Sequence, residues 1–158
     1  MNFDRPIVID TGVLVSAAIR GQSVPALALE RALLHYDVCA SPDTLAELQQ
    51  VLLRPKFDRY AGAAERQAFV DGLSAQLRFV DVTQTIKECV DPKDDKFLAL
   101  ALTVGAEMIL ASDPHLTQMH PWRNIPILPP AAFLVGEPAS IPHDWPQTQR
   151  PQIDRAGP

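Results

Sequence analysis

Acidic residues follow directly where two apolar, strand-like segments of this chain end. The run Ile7–Ile9 is followed by Asp10, and the run Met108–Ser112 is followed by Asp113. A carboxylate at the end of a buried strand is costly unless a cation or hydrogen-bond donors meet it. The chain must therefore fold so that each of these acids has a positive or polar partner.

The order of predicted elements indicates an α/β fold. Short strands are predicted at 6–10, 37–40, 79–82, 107–111 and 125–128. Between and after them, helical patterns cover 11–19, 26–35, 42–54, 57–60, 62–77, 95–104 and 130–134. This alternation predicts a three-layer α/β/α sandwich with a central, mainly parallel sheet. Ligands of such sheets bind beyond the carboxyl ends of the strands, which is where Asp10 and Asp113 would lie.

Length and composition are those of one globular domain. The chain has 158 residues, of which 47% are hydrophobic and 21% charged. We assign residues 1–135 to the domain and the proline-rich residues 136–158 to a tail, which Ile141 and Trp145 could anchor. No signal peptide or membrane-spanning run is recognisable, so a cytoplasmic location is expected. Cys39 and Cys89 lack metal-site spacing and are expected to stay reduced.

Further acids lie on predicted helices that could reach the same sheet edge. Mg²⁺ and Mn²⁺ prefer oxygen ligands, and such ions promote phosphodiester hydrolysis. Asp95 is preferred to Asp94 because a residue just inside a helix can project over the edge of the sheet. The predicted metal-binding and catalytic residues are Asp10, Glu47, Asp95 and Asp113, with Asp94 and Asp91 as secondary candidates.

Each of these acids also has a purely structural interpretation. Asp10 could cap the helix that begins at Thr11, and Asp113 could belong to a turn before Pro114. Asp94 and Asp95 would favour the start of a helix through its dipole. Glu47 could be an ordinary solvated side chain. Of the histidines, His115 is close enough to Asp113 in sequence to touch a site there.

At these residues the chain resembles the PIN domain family of metal-dependent ribonucleases, and most of all the branch of toxin components of toxin–antitoxin systems. The resemblance covers about residues 6–135 and depends on the order of its parts. Those parts are Ile9–Ala17, Ser41-Pro42, Glu47-Leu48, Val51-Leu52, Arg54–Phe57, Asp91–Asp95, Leu98–Ala101, Gly105-Ala106, Ser112-Asp113 and Leu116.

The resemblance implies a sheet flanked by helices and an acidic pocket for Mg²⁺ or Mn²⁺. Its site residues would map to Asp10, Glu47, Asp95 and Asp113. The implied activity is endonucleolytic cleavage of single-stranded RNA, restrained by a cognate antitoxin, and the implied assembly is a homodimer. Two positions depart from the family pattern. Gly12 stands where Asn is usual, and His115 stands where a second acid often follows the last Asp.

The overall charge leaves other functions open. The net charge is −5, and an acidic chain is a poor generic binder of nucleic acid, although cations bound at an acidic site would offset this locally. One alternative is a non-catalytic PIN-like module that binds a protein or RNA. Another is a haloacid-dehalogenase-like phosphohydrolase, which needs an acid two residues after its first Asp, where this chain has Gly12. Basic residues that could position phosphates are Arg20, Arg54, Lys56, Lys93 and Lys96.

Overall fold

The computed structural model describes residues 5–136, and these form a parallel five-stranded sheet in the order β3-β2-β1-β4-β5. The strands are β1 (Pro6–Ile9), β2 (Asp37–Ala40), β3 (Arg78–Phe79), β4 (Met108–Leu110) and β5 (Ile127–Leu128). Every pair of neighbouring strands is parallel, so the predicted α/β fold is confirmed. The fifth strand, which directly follows Pro126, lies at an edge of the sheet, as predicted. The carboxyl ends of all five strands therefore lie along the same side of the sheet.

Helices fill the connections between the strands. They are α1 (Thr11–Ile19), α2 (Val24–His35), α3 (Pro42–Leu52), α4 (Ala63–Ser74), α5 (Asp95–Val104), α6 (Pro114–Thr117) and α7 (Pro130–Val135), with 3₁₀ turns at Pro55–Phe57 and Pro92–Asp94. Their ends follow local chemistry. Ser41 and Thr44 form a reciprocal capping box at the start of α3. Gly105 closes α5 with φ of +64°, a conformation that costs glycine least.

Alternate residues of the central strands face opposite layers. Ile7 and Ile9 pack with α1, α2 and α3, whereas Val8 and Ile109 pack beneath α5. Both sheet faces are covered, which explains why the central strands are almost continuously apolar. The two cysteines are free and buried, one on β2 and one in the loop before α5.

A buried arginine ties α3 to α4. The guanidinium of Arg66 donates hydrogen bonds to the carbonyl oxygens of Leu52, Arg54 and Ala61 and pairs with Asp58. Arg66 is 1% exposed, so these bonds replace its hydration almost completely. These contacts fix the segment between α3, which carries Glu47, and α4.

No single helix within residues 5–136 is long and apolar enough to cross a membrane. Within those residues, α1 and α2 taken together meet that test of length and composition, and they are bent by 110° at their junction. Apart from Gly136, the predicted tail and its anchors Ile141 and Trp145 lie outside the described residues. The domain assignment to 1–135 stays a prediction.

Candidate metal centre

Asp10 lies at the carboxyl end of β1, where its side chain joins two strands. One carboxylate oxygen accepts a hydrogen bond from the N–H of Val13 (2.9 Å), capping α1. The other accepts from the N–H groups of Ser112 (2.9 Å) and Asp113 (3.3 Å), just beyond β4. Asp10 is only 2% exposed. Burial raises its pKa to about 6, although the three N–H groups oppose that shift.

Asp94 and Asp113 form a close carboxyl pair beside Asp10. Asp94 is 7% exposed, and its Oδ2 atom has no hydrogen-bond donor within the described part of the chain. Burial, together with the carboxylate of Asp113, raises the pKa of Asp94 to about 7. For Asp113, burial acts upward, but the hydrogen bond shared with Asp94 and the His115 N–H bring its pKa below the usual value. As the pH rises, Asp113 therefore loses its proton first and Asp94 loses its proton only near pH 7.

Asp91 and His115 complete a group of possible metal ligands. One possible ligand atom from each of four residues lies within 4.8 Å of the others, and these residues are Asp91, Asp94, Asp113 and His115. Asp91 and Asp113 are also fixed by caps, since they accept from the N–H groups of Lys93 (3.0 Å) and His115 (2.8 Å). Three carboxylates, one of them buried without a donor, fit a divalent cation.

Asp95 lies outside the group of four possible ligands. Its Oδ1 atom accepts hydrogen bonds from the N–H groups of Glu88 (3.1 Å) and Cys89 (2.8 Å), so it holds the loop that precedes the 3₁₀ turn. The buried thiol of Cys89 in turn donates to the carbonyl of His115 (3.5 Å). The turn at Pro92–Asp94 places Asp94, rather than Asp95, in the ligand group.

Glu47 lies outside that group but is held by residues next to it. Its Oε2 atom accepts a hydrogen bond from the hydroxyl of Thr11 (2.9 Å) and lies 3.2 Å from the ammonium nitrogen of Lys96. Thr11 follows Asp10 in sequence and Lys96 follows Asp95. The structure therefore brings α3 close to the acidic residues. The ammonium group of Lys96 offsets the negative charge of the Glu47 carboxylate.

The structure brings some of the predicted acids together and leaves others apart. Of the residues predicted first, only Asp113 belongs to the group of four possible ligands, and Asp10 adjoins it through hydrogen bonds to the backbone. The secondary candidates Asp94 and Asp91 are inside it. His115 was recognised only as a neighbour of Asp113. The signal that could have placed it higher is its position two residues beyond a strand-end acid.

The sequence model of the PIN domain family matches residues 6–115, well over half of the chain. The chain belongs to the PIN domain family. This match spans β1 to the start of α6 and includes every acid described above. No curated protein matches the chain.

The PIN fold is also seen in a solved structure. A crystal structure of VapBC2 from Rickettsia felis, bound to a DNA fragment from its promoter, superposes with a TM-score of 0.56. The alignment covers 77% of this chain and 96% of that one at 14% sequence identity. At this identity the likeness establishes the fold alone.

The geometry of this PIN domain argues against a haloacid-dehalogenase-like reaction. An aspartyl nucleophile needs an exposed oxygen, but both oxygens of Asp10 accept backbone hydrogen bonds and the residue is 2% exposed. Gly12 supplies no second acid, and a Cβ atom there would overlap the hydroxyl of Ser112. The Asp10 carboxylate is thus built to hold position and charge.

Proposed function

We propose that this PIN domain is a metal-dependent endoribonuclease that cleaves single-stranded RNA. The observation that carries the proposal is that Asp94, whose buried Oδ2 atom has no hydrogen-bond partner among the described residues, belongs to the same group as Asp91 and Asp113. A fold does not keep such an atom for stability, because an unpaired buried polar group costs about 1–3 kcal/mol. A divalent cation, either Mg²⁺ or Mn²⁺, would satisfy it.

The acids divide the work by position. Asp94, Asp113 and Asp91 would hold the cation, and Asp10 would fix the backbone beneath them while adding negative charge. Glu47 is proposed to orient the attacking water once Lys96 is drawn away from it. Asp95, predicted as a ligand, is proposed to act by anchoring the loop at Glu88 and Cys89.

The cation would stabilise the extra negative charge of the pentacovalent transition state. In the reaction, a water oxygen bonds to phosphorus while the bond to the departing ribose oxygen breaks. We propose Glu47 as the base that takes the proton of the attacking water, and the departing ribose oxygen is protonated from solvent. Lys93 and Lys96 flank the acidic group in sequence and are proposed to contact phosphates, which positions RNA without reading its bases.

The decisive experiment is cleavage of end-labelled single-stranded RNA by the full-length protein with Mn²⁺, Mg²⁺ or EDTA. Asp94→Asn and Asp113→Asn are each expected to lower the rate at least about 100-fold, and EDTA should abolish cleavage. Asp71→Asn is the matched control, because Asp71 is an exposed acid on α4 bonded to Gln67 (3.0 Å). Full activity of both site variants would refute the proposal.

We infer further that this nuclease is the toxin of a toxin–antitoxin pair, acting on cytoplasmic RNA. The likeness to the fold in a VapBC2 crystal structure supports a partner protein. Exposed apolar residues on α2, Leu27 (48%) and Leu34 (69%), offer surface for a partner or for a homodimer. Induced expression of the wild-type chain should arrest growth of a host, and Asp94→Asn should not. Arrest by both would mean that toxicity is independent of the site.

A non-catalytic PIN-like module is the second candidate. It is favoured by the Lys96–Glu47 ion pair, which already neutralises one acid without metal. Calorimetric titration with Mn²⁺ separates the two, because a binding module that has lost its metal would give no heat.

A further inference from the structure

The ligand group contains a nitrogen donor that distinguishes it from an all-carboxylate centre. His115 is the second residue of α6, and its side chain is 47% exposed. Its Nδ1 atom lies 3.6 Å from Asp113 Oδ1, too far for a hydrogen bond, so the ring is not committed to that partner. The same Asp113 oxygen accepts from the His115 N–H, which fixes the imidazole beside the acids.

The histidine is further held from below. The thiol of Cys89 donates to the carbonyl oxygen of His115, and Cys89 is itself tied to Asp95 through its N–H. The imidazole thus extends from a turn whose backbone is bonded on both sides. Asp94, a buried member of the same group, has an Oδ2 atom with no partner among the described residues, so the site brings oxygen and nitrogen ligand atoms within 4.8 Å of one another.

We propose that His115 is a metal ligand in this chain and that it makes the centre selective for first-row transition ions, with Mn²⁺ bound in preference to Mg²⁺. The inference rests on the metal site of the proposed function. Mg²⁺ retains its waters and takes oxygen ligands, whereas imidazole nitrogen suits transition ions, whose affinity for nitrogen sites rises from Mn²⁺ to Cu²⁺. An acid at position 115 would remove that preference.

The direct test is electron spin-echo spectroscopy on the full-length protein loaded with Mn²⁺. The wild-type spectrum should show modulation from a directly bound imidazole ¹⁴N nucleus. His115→Gln and His115→Asp should both lose it, and His35→Gln, a histidine at the end of α2, should keep it. Modulation that survives in both His115 variants, or that is missing from a wild-type protein with bound Mn²⁺, would overturn the inference.

Affinities measured by calorimetry provide the second readout. His115→Asp should lower the ratio of Mn²⁺ to Mg²⁺ affinity at least about tenfold, while Asp113→Asn should weaken both ions. His115 is exposed, so its variants should melt close to the wild-type temperature. If Mn²⁺ binds and Asp113→Asn weakens it but the ratio does not change in His115→Asp, the selectivity inference fails and the metal site stands. If the wild type binds neither ion, both proposals fail.

Discussion

The hydroxyl of Ser112 occupies the space into which a side chain on Gly12 would project. The Cβ of Ser112 is 3.7 Å from that position, an ordinary contact, so only the hydroxyl oxygen is in the way. Both residues are exposed at the rim of the site, and the same position lies 3.6 Å from Asp10 Oδ1. Gly12 and Ser112 therefore share one small volume beside the buried acid.

This sharing makes the effect of Gly12→Ala depend on residue 112. Alanine favours a helix interior over glycine by about 1 kcal/mol, and Gly12 lies in the first turn of α1, so a gain of up to about 1 kcal/mol should appear in a Ser112→Ala background, where nothing overlaps. In the wild-type background the gain should be smaller, because the hydroxyl of Ser112 must rotate away. Urea unfolding of the two single variants and the double variant measures the coupling. Equal gains in the two backgrounds would contradict the overlap.

The stability of the metal-free protein should fall as pH rises through the acid range. The pKa of Asp10 is 3.8 ordinarily and about 6 in the fold, so between these values the folded chain holds a proton that the unfolded chain has released. Asp94 extends the fall to about pH 7. Asp113 acts oppositely, since its lowered pKa adds stability that is lost as pH falls.

Divalent ions bind the ionised carboxylates and should reverse this trend. Mn²⁺ should therefore raise the melting temperature more at pH 7.5 than at pH 5, by several degrees. Thermal unfolding with EDTA and with Mn²⁺ at both pH values provides the comparison, and Asp71→Asn should behave as wild type. An ion effect that is equal at the two pH values would disagree with titration of Asp10 and Asp94.

Asp94→Asn and Asp95→Asn should separate binding from folding. An amide at 94 removes the buried charge and can donate to Asp113, so the metal-free protein should gain on the order of 1 kcal/mol at pH 7.5 and bind Mn²⁺ weakly. An amide at 95 weakens the acceptor for Glu88 and Cys89, so it should lose roughly 1 kcal/mol. Melting temperatures and Mn²⁺ titrations check both. Asp95→Asn that abolishes binding without loss of stability would make Asp95 a direct ligand.

Arg66→Met should destabilise the fold by about 3 kcal/mol. The thioether fills much of the volume, but it leaves the carbonyl oxygens of Leu52, Arg54 and Ala61 without their buried donor. Asp58→Asn should change stability by no more than about 1 kcal/mol, because Asp58 is 65% exposed. Denaturant midpoints distinguish the two. Similar losses in both variants would assign the effect to the ion pair.

The fold was predictable because its signals are local. Apolar runs of strand length, proline at the first turn of α3 and glycine after α5 are set within a few residues, and β1, α1 and β2 were placed almost to the residue. β3 was placed late, at 79–82 instead of Arg78–Phe79. A strand of this length carries too little pattern to fix its register, which is set by pairing with β2.

The site was predictable as a set of acids but not in its detail. Whether Asp94 or Asp95 faces the sheet edge depends on the 3₁₀ turn before α5, and one residue of rotation on a helix reverses the answer. The role of Asp95 depends on a loop that has no regular pattern. Arg66 gave no signal at all, because three of its four partners are backbone carbonyl oxygens, which every residue type supplies.

The unpaired oxygen of Asp94 has a consequence for the engineering of a thermostable variant of this protein. Variants in which that oxygen is removed or paired should have a higher melting temperature than the parent. A screen that selects for heat tolerance alone would therefore enrich variants without activity. Stabilising substitutions therefore have to be made at other positions, with Asp94 unchanged.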